Sequence, residues 1–120
     1  MINEGNIDKV YLALGATDLR KSINGLSILV KESFNLDPFS KNLFVFCNRK
    51  RDKLKILKWD HNGFWLYYRR LERDKFQWPQ EGSQNAGPIV VDYRQLRWLL
   101  DGLALSQPWA HREVKERTIV

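Results

Sequence analysis

Three short apolar runs between residues 43 and 71, separated by turn-forming residues, constrain the fold of this chain most. The runs are LFVFC (43–47), KLKILKW (53–59) and FWLYYRRL (64–71). Each has the length and the apolar or aromatic composition of a strand. DHNG (60–63), between the last two runs, contains Asn-Gly, which is the strongest short hairpin signal. The segment is therefore predicted to form an antiparallel meander of three strands.

The middle run leaves its own geometry open. Leu54 and Ile56 share one parity along the strand, whereas Leu57 and Trp59 share the other. A β-bulge near the centre of the run would place both apolar pairs on one face and the intervening lysines on the opposite face. Without a bulge, the strand would be partly buried on each side.

Helical patterns flank the meander. Apolar residues recur at helical spacing over 17–35, where Thr17 or Asp18 could cap the start and Asn35 could adopt the left-handed conformation at the end. A second helix is predicted over 92–102, because Asp92 with Gln95 three residues later forms a capping box and Gly102 follows as a stop signal.

These elements together predict an α+β fold class. The expected architecture is a small antiparallel meander of three to five strands with two packed helices, because short runs at 10–15 and 89–91 also have strand composition. The chain length suits one domain. We assign residues 1–105 to that domain and expect 106–120 to be a mobile C-terminal tail, since its periodicity is weak.

The excess positive charge of the chain is confined to one segment. Residues 48–75 contain ten basic and four acidic residues, and their net charge of +6 equals that of the whole chain. Such an asymmetry indicates a polyanionic partner and says nothing about the fold. Because Lys and Arg neutralise phosphates and release counterions, we expect binding to nucleic acid backbone with little sequence specificity.

The expected phosphate contacts begin at the loop tip NRKRD. A loop with three consecutive cations, Arg49, Lys50 and Arg51, gains nothing for folding, which makes this tip the most suggestive part of the segment. DNA is the expected partner. RNA remains an alternative, because both nucleic acids offer phosphates to the same cations. The predicted track continues along Lys53, Lys55, Lys58, Arg69, Arg70 and Arg73.

Aromatic residues are interleaved with these charges. They are Trp59, Trp65, Tyr67 and Trp78. Exposed aromatic rings could stack on unpaired bases. Core packing is the favoured interpretation for them, because aromatic side chains bury large apolar areas.

The sequence gives no support for a membrane or secreted protein. No apolar run approaches the roughly 20 residues that a transmembrane helix needs. The N-terminal segment MINEGNIDKV has neither the basic nor the apolar region of a secretory signal. We therefore expect a cytoplasmic protein without a membrane partner.

The candidates for catalysis are weak, so we expect no enzyme, no metal and no cofactor. His61 and His111 are isolated, and with the single Cys47 they do not make a zinc site or a general-base constellation. Three aspartates could chelate Mg²⁺ for phosphoryl transfer, but a helix cap and a pre-proline turn explain two of them. These aspartates are Asp18, Asp37 and Asp60.

Ordered blocks along the chain resemble one protein family. From about residue 11 to 105 the sequence resembles the Orf2-like family, often labelled TnpB, of the bacterial insertion sequences designated sixty-six. That family is distinct from the RNA-guided nucleases that share the label. The blocks are Asp-x-Arg-Lys-Ser (18–22), Asp-Pro-Phe-Ser (37–40), Asp-x-Leu-Lys-x-Leu-x-Trp-Asp (52–60), Tyr-x-Arg-Leu-Glu (68–72), Phe-x-Trp-Pro (76–79) and Gln-Leu-x-x-Leu-Leu-x-Gly (95–102).

The resemblance implies an accessory protein of transposition. Such a protein is encoded beside a larger transposase that supplies the strand-transfer chemistry, and the family offers no catalytic residues to transfer to this chain. The expected partners are the transposase and other transposition proteins, with a homo-oligomer left open. An alternative function is a protein-interaction module that binds these proteins without nucleic acid, with Trp98 and Trp109 as contacts.

Overall fold

Five strands form one mixed sheet with a helix on each face in the computed structural model, which describes residues 4–79 and 87–107. The strand order in the sheet is β4-β3-β2-β1-β5. The predicted α+β class, a small sheet with two packed helices in a single domain, is confirmed. In chain order the elements are β1 (Val10–Leu12), α1 (Ile23–Ile28), β2 (Leu43–Cys47), β3 (Lys53–Asp60), β4 (Gly63–Arg70), β5 (Ile89–Val91) and α2 (Tyr93–Leu100).

Strands β2, β3 and β4 form the antiparallel meander that the sequence predicts. The register of β3 against β4 is uninterrupted, from Lys53 opposite Arg70 to Asp60 opposite Gly63. Along β3, which the structure describes completely, there is thus no β-bulge. The second geometry is the correct one: Lys53 and Lys55 lie on one face of the sheet, and Lys58 lies on the other.

The sheet differs from the expected antiparallel arrangement at β1. This strand pairs with β2 in parallel and with β5 antiparallel. The segment between β1 and β2 contains α1, and neighbouring parallel strands need such a crossover connection. The short apolar runs in the sequence do not reveal which strands become neighbours, so this pairing could not be read from them.

Helix α1 begins later than its sequence pattern predicts. Its N-cap is Ser22, whereas Thr17 and Asp18 lie in the loop that precedes it. The carboxylate of Asp18 does not cap the helix because it accepts hydrogen bonds from the guanidinium of Arg20, at 3.0 Å and 2.7 Å. Residues 17–22 therefore form a loop and not a first helical turn.

The other predicted helix signals are present. A π-helical turn, Leu29–Ser33, continues α1, and Asn35 follows with a φ of 56°. Asp92 caps α2 in a complete capping box with Gln95. Gly102 follows α2 with a φ of 81°, a left-handed conformation that glycine adopts without a steric penalty.

Alternation along β2 divides the hydrophobic core between the two faces of the sheet. Leu43, Val45 and Cys47 pack with α2, whereas Phe44 and Phe46 pack with α1. All five side chains are buried, and burying an apolar side chain of this size contributes about 1.5–3 kcal/mol. We refer to the two sides of the sheet as the α1 face and the α2 face.

No helix in residues 4–79 and 87–107 is both long enough and apolar enough to cross a membrane. The domain boundary at 105 and the tail at 106–120 stay predictions, because most of that segment lies outside the described residues.

Candidate nucleic-acid interface

A basic groove lies on the α1 face, between the loop that precedes α1 and the tip of the β2–β3 hairpin. Its volume is about 880 Å³. Among the described residues that line it, five are basic and one, Asp18, is acidic. The lining consists of Ala16, Thr17, Asp18, Leu19, Arg20, Asn48, Arg49, Lys50, Lys53, Lys55, Leu66 and Tyr68.

The backbone of the hairpin tip is held in place by its own side chains. The carboxamide oxygen of Asn48 accepts hydrogen bonds from the backbone N–H groups of Asp52 and Lys53, at 3.1 Å and 3.0 Å. Its Nδ2 donates to Asp52 Oδ1 at 2.8 Å. This hydrogen bond is the main reason why the pKa of Asp52 is lowered. The tip therefore has a fixed shape.

The segment after β4 fixes the tip from the other side. The N–H of Phe76 donates to the carbonyl of Arg51 at 2.7 Å, and Lys75 Nζ donates to the carbonyl of Lys50 at 2.9 Å. The side chains of Arg49 and Lys50 are exposed and form no ion pair with any other described residue. A well-anchored backbone thus presents two cations at the groove that have no ion-pair partner among the described residues.

The opposite wall is attached to the sheet by Lys55. Its ammonium group donates to the carbonyl of Leu19 at 2.6 Å and to that of Lys21 at 3.0 Å. The N–H of Thr17 also donates to the carbonyl of Cys47 at 2.8 Å. Charge-assisted hydrogen bonds of this kind are the strong ones. Lys55 therefore fixes the position of the loop.

Arg20 and Asp18 form an exposed ion pair on this wall, with Nη2 and Oδ2 2.7 Å apart. The hydrogen bond from Arg20 is the largest cause that holds the pKa of the Asp18 carboxyl well below its usual range. The guanidinium uses Nε and Nη2 for this pair. Arg20 has further N–H donors, because a guanidinium carries five.

Strand parity divides the residues of the predicted basic track between the two faces of the sheet. Arg49, Lys50, Lys53 and Lys55 line the groove on the α1 face, and their contact with phosphates stays a prediction. Arg70 is opposite Lys53 on the same face, where its Nε donates to Glu72 Oε2 at 2.9 Å.

The other predicted phosphate contacts lie elsewhere. Lys58 and Arg69 have the opposite parity, on the α2 face, and donate to the carbonyls of Trp59 and Leu100. Arg51 does not line the groove; it lies beside Phe76 and Trp78 in one hollow and shares a smaller one with Arg49. Arg73 is exposed in the segment after β4.

The aromatic side chains that the sequence singles out lie outside the groove lining. Trp78 is buried and its Nε1 donates to the carbonyl of Ala13 at 3.1 Å. Trp59 and Tyr67 are half-buried. Trp65 is 50% exposed, with its ring stacked on that of Tyr67. The preference for core packing is thus right for Trp78 and wrong for Trp65.

The protein-contact role of Trp98 and Trp109 stays a prediction. Trp98 is half-buried on α2, with the Arg94 guanidinium carbon 4.9 Å from its ring centroid. Trp109 lies outside the described residues.

The weak catalytic candidates have ordinary structural positions. Cys47 is buried, and desolvation raises the pKa of its thiol to about 12. A thiolate, which is the nucleophilic form, is therefore scarce at neutral pH. His61 is exposed in the β3–β4 turn with a φ of 57°. Within residues 4–79 and 87–107, no three His, Cys, Asp or Glu side chains form a group that could hold a metal ion.

Comparison with known proteins gives the family. A model described as "IS66 Orf2 like protein" matches residues 8–110. The chain belongs to the IS66 Orf2-like family. This confirms the resemblance and indicates an accessory protein of an insertion sequence.

Two proteins of Sinorhizobium fredii (strain NBRC 101917 / NGR234) are similar along much of the chain. "Uncharacterized protein y4hO" is 36% identical over 108 residues, which are 90% of this chain and 91% of that protein. "Uncharacterized protein y4jC" is 32% identical over 82 residues, which are 67% of this chain and 70% of that protein. No solved structure matches the chain.

The IS66 Orf2-like chain has two groove residues that the charge argument missed, Arg20 and Tyr68. Arg20 lies outside the basic segment, and Tyr68 is not among the aromatic residues that were singled out. Both belong to blocks that carry the resemblance, at 18–22 and 68–72. Those blocks were the signal that could have indicated them, because charge density along the sequence cannot show which distant segments meet.

Proposed function

We propose that this accessory protein binds nucleic acid backbone in the basic groove and catalyses no reaction itself. The observation that carries the proposal is the position of Arg49 and Lys50, which are exposed, without ion pairs to described residues, and face the Arg20 wall across the groove. Their backbone is anchored before a ligand arrives, so little backbone conformational entropy is lost on binding.

The ligand that fits this charge pattern is a phosphodiester chain. The groove is open and its basic residues come from both walls, so a strand could pass between the hairpin tip and the loop at 16–20. Duplex DNA carries one negative charge for about every 1.7 Å of its axis, which suits several cations spread over a groove. Little sequence specificity is expected, because these cations would contact phosphates and not base edges.

The test is fluorescence anisotropy of labelled duplex DNA at several salt concentrations. For the wild type, log K is expected to fall by roughly 3 to 6 per tenfold increase in salt. The Arg49→Ala/Lys50→Ala double variant removes two phosphate contacts, so its slope should be shallower by roughly 2.

A matched control separates the groove from general charge. The Lys31→Ala/Lys41→Ala double variant also removes two exposed cations, and both lie outside the groove lining. Its salt slope should remain close to that of the wild type. Equal changes in the two double variants would mean that the protein binds DNA through its overall charge and that the groove has no special role.

Failure of the wild type to bind any nucleic acid at about 50 mM salt would contradict the proposal, because backbone contacts are strongest at low salt. The groove would then have to meet an acidic protein surface, as in the alternative function. Retention of purified transposase by this protein in nuclease-treated extract would support that alternative.

A further inference from the structure

Tyr68 provides an exposed aromatic ring inside the basic groove. The residue is 54% exposed, and it is the one aromatic residue among the described residues that line the groove. Phe39 is also exposed on this face, but its ring packs against Trp59 and Phe64 with centroids 4.9 Å and 5.4 Å apart. Tyr68 is therefore the ring that a ligand in the groove would contact.

The ring of Tyr68 is supported by Lys55. The ammonium nitrogen lies over the ring, 5.9 Å from its centroid, within the range of a cation–π interaction. The same ammonium is fixed by the carbonyls of Leu19 and Lys21. The ring of Tyr68 and the loop that precedes α1 thus share one anchor, the ammonium group of Lys55.

We propose that the groove accepts an unpaired nucleotide within a strand, with its base stacked on Tyr68 and the flanking phosphates on Arg49, Lys50 and Arg20. This inference rests on the proposed function and names its ligand class. Successive bases of single strands stack on aromatic side chains in basic grooves. A volume of about 880 Å³ is within the range of about 300–1,000 Å³ for ligand sites.

Duplex DNA cannot make both kinds of contact, phosphates on the cations and a base on Tyr68. Its phosphates can reach the cations, but its bases are stacked on one another, and extruding one costs a few kcal/mol. A single strand, or a duplex with a bulged nucleotide, can offer phosphates and a free base face together. The groove should therefore prefer unpaired nucleic acid.

The decisive ligand pair is a single-stranded thymidine oligomer and an abasic oligomer of the same length, about 12 nucleotides, within the site size of single-strand binding proteins. Both carry the same phosphate charge, but only one has bases. Wild-type protein should bind the thymidine oligomer roughly 5- to 150-fold more tightly, which is the range for stacking of one base.

Substitutions in β4 test whether Tyr68 causes the difference in affinity between the two oligomers. Tyr68→Ala should remove most of the preference for the thymidine oligomer and change duplex affinity less than twofold, a small step on the roughly fivefold scale of one stacked base. Tyr68→Phe keeps the ring and should keep the preference. Trp65→Ala is the matched control, because Trp65 is a similarly exposed ring of the same strand on the α2 face.

The outcomes separate this inference from the proposed function. If the wild type binds both oligomers equally, or Trp65→Ala lowers the preference as much as Tyr68→Ala, the stacking site is wrong while backbone binding stands. If thymidine monophosphate competes as well as the oligomer at equal nucleotide concentration, the site takes free nucleotides and the strand proposal is wrong. If no oligomer binds, the proposed function itself fails.

Discussion

The two faces of the β3–β4 hairpin carry cations in different environments. On the α1 face, Lys53 and Lys55 line an open groove. On the α2 face, Lys58 is 6% exposed with Nζ 3.2 Å from the carbonyl of Trp59, and Arg69 Nε donates to the carbonyl of Leu100 at 3.2 Å. One stretch of sequence thus contributes cations to a surface on one side and to the packing of the domain on the other.

The comparison shows that charge density along a sequence is not charge density on a surface. Strand parity divides the basic segment, because successive side chains of a strand point to opposite faces. The cations of the groove also differ from one another. Lys55 donates hydrogen bonds to two carbonyls, whereas Arg49 and Lys50 have no ion pairs to described residues.

Lys55→Met should lower the free energy of unfolding by about 2 kcal/mol, because hydrogen bonds to charged groups contribute about 1.5–3 kcal/mol each and this residue is partly exposed. Methionine retains an apolar stem, so the change reports the two bonds to Leu19 and Lys21 together with the weaker cation–π contact to Tyr68. Lys53→Met, on the same face, should cost less than about 0.5 kcal/mol, because its pair with Asp52 is at the surface. Urea unfolding of both variants measures the difference.

Equal stability losses for the two lysine variants would contradict the anchoring role of Lys55. The wall of the groove would then be held by other contacts, such as the bond from Thr17 to the carbonyl of Cys47. In that case Lys55 would be available as a further phosphate contact, and its replacement should make the salt slope for DNA shallower by about 1.

Arg69→Met and Arg70→Met should have opposite profiles, because their parity places them on opposite faces. Arg69 donates to the last turn of α2, so its replacement should lower the free energy of unfolding by about 1 kcal/mol. DNA affinity should be unchanged. Arg70→Met should leave stability within about 0.5 kcal/mol and weaken binding. A loss of affinity in both variants, measured by anisotropy, would mean that DNA also contacts the α2 face.

The cations of the hairpin tip should differ in how much their replacement changes the salt dependence of DNA binding. Arg49→Ala should make the salt slope for DNA shallower by about 1, the expectation for one phosphate contact. Arg51→Gly should change the slope less than Arg49→Ala, because Arg51 does not line the groove, although it shares a smaller adjoining hollow with Arg49. Glycine suits its backbone, whose φ is 62°. Equal slope changes would show that all three cations contact one strand.

Local signals in the sequence predicted local structure well. The capping box of Asp92 with Gln95, the left-handed Asn35 and the bounds of β2 depend on residues close together in the chain, and all are present. The predicted start of α1 was wrong because Asp18, a residue suited to capping, pairs with Arg20 instead. Local propensity cannot decide between two such partners.

The groove could be predicted only in part. Its hairpin side was visible as a run of cations, but its other wall depends on the bond from Lys55 to Leu19, which are 36 residues apart in sequence. The parallel pairing of β1 with β2, which brings this loop to the hairpin, is equally non-local. Tyr68 became a candidate for stacking only when the absence of a bulge fixed its parity.

The smallest expected effect concerns the ion pair on the loop wall. Arg20 holds the pKa of Asp18 below its ordinary value of 3.8, so the pair stabilises the folded state above that pH and the contribution is lost as pH falls below it. Between about pH 4 and pH 2, the free energy of unfolding of the wild type should therefore fall more steeply than that of Asp18→Asn. Asp52, whose pKa is also lowered, titrates in both proteins and cancels. A stability difference that stays constant with pH would mean that the Asp18 carboxylate does not pair in solution. Arg20 would then have all its donors available for phosphate, and Arg20→Ala should weaken DNA binding as much as Arg49→Ala.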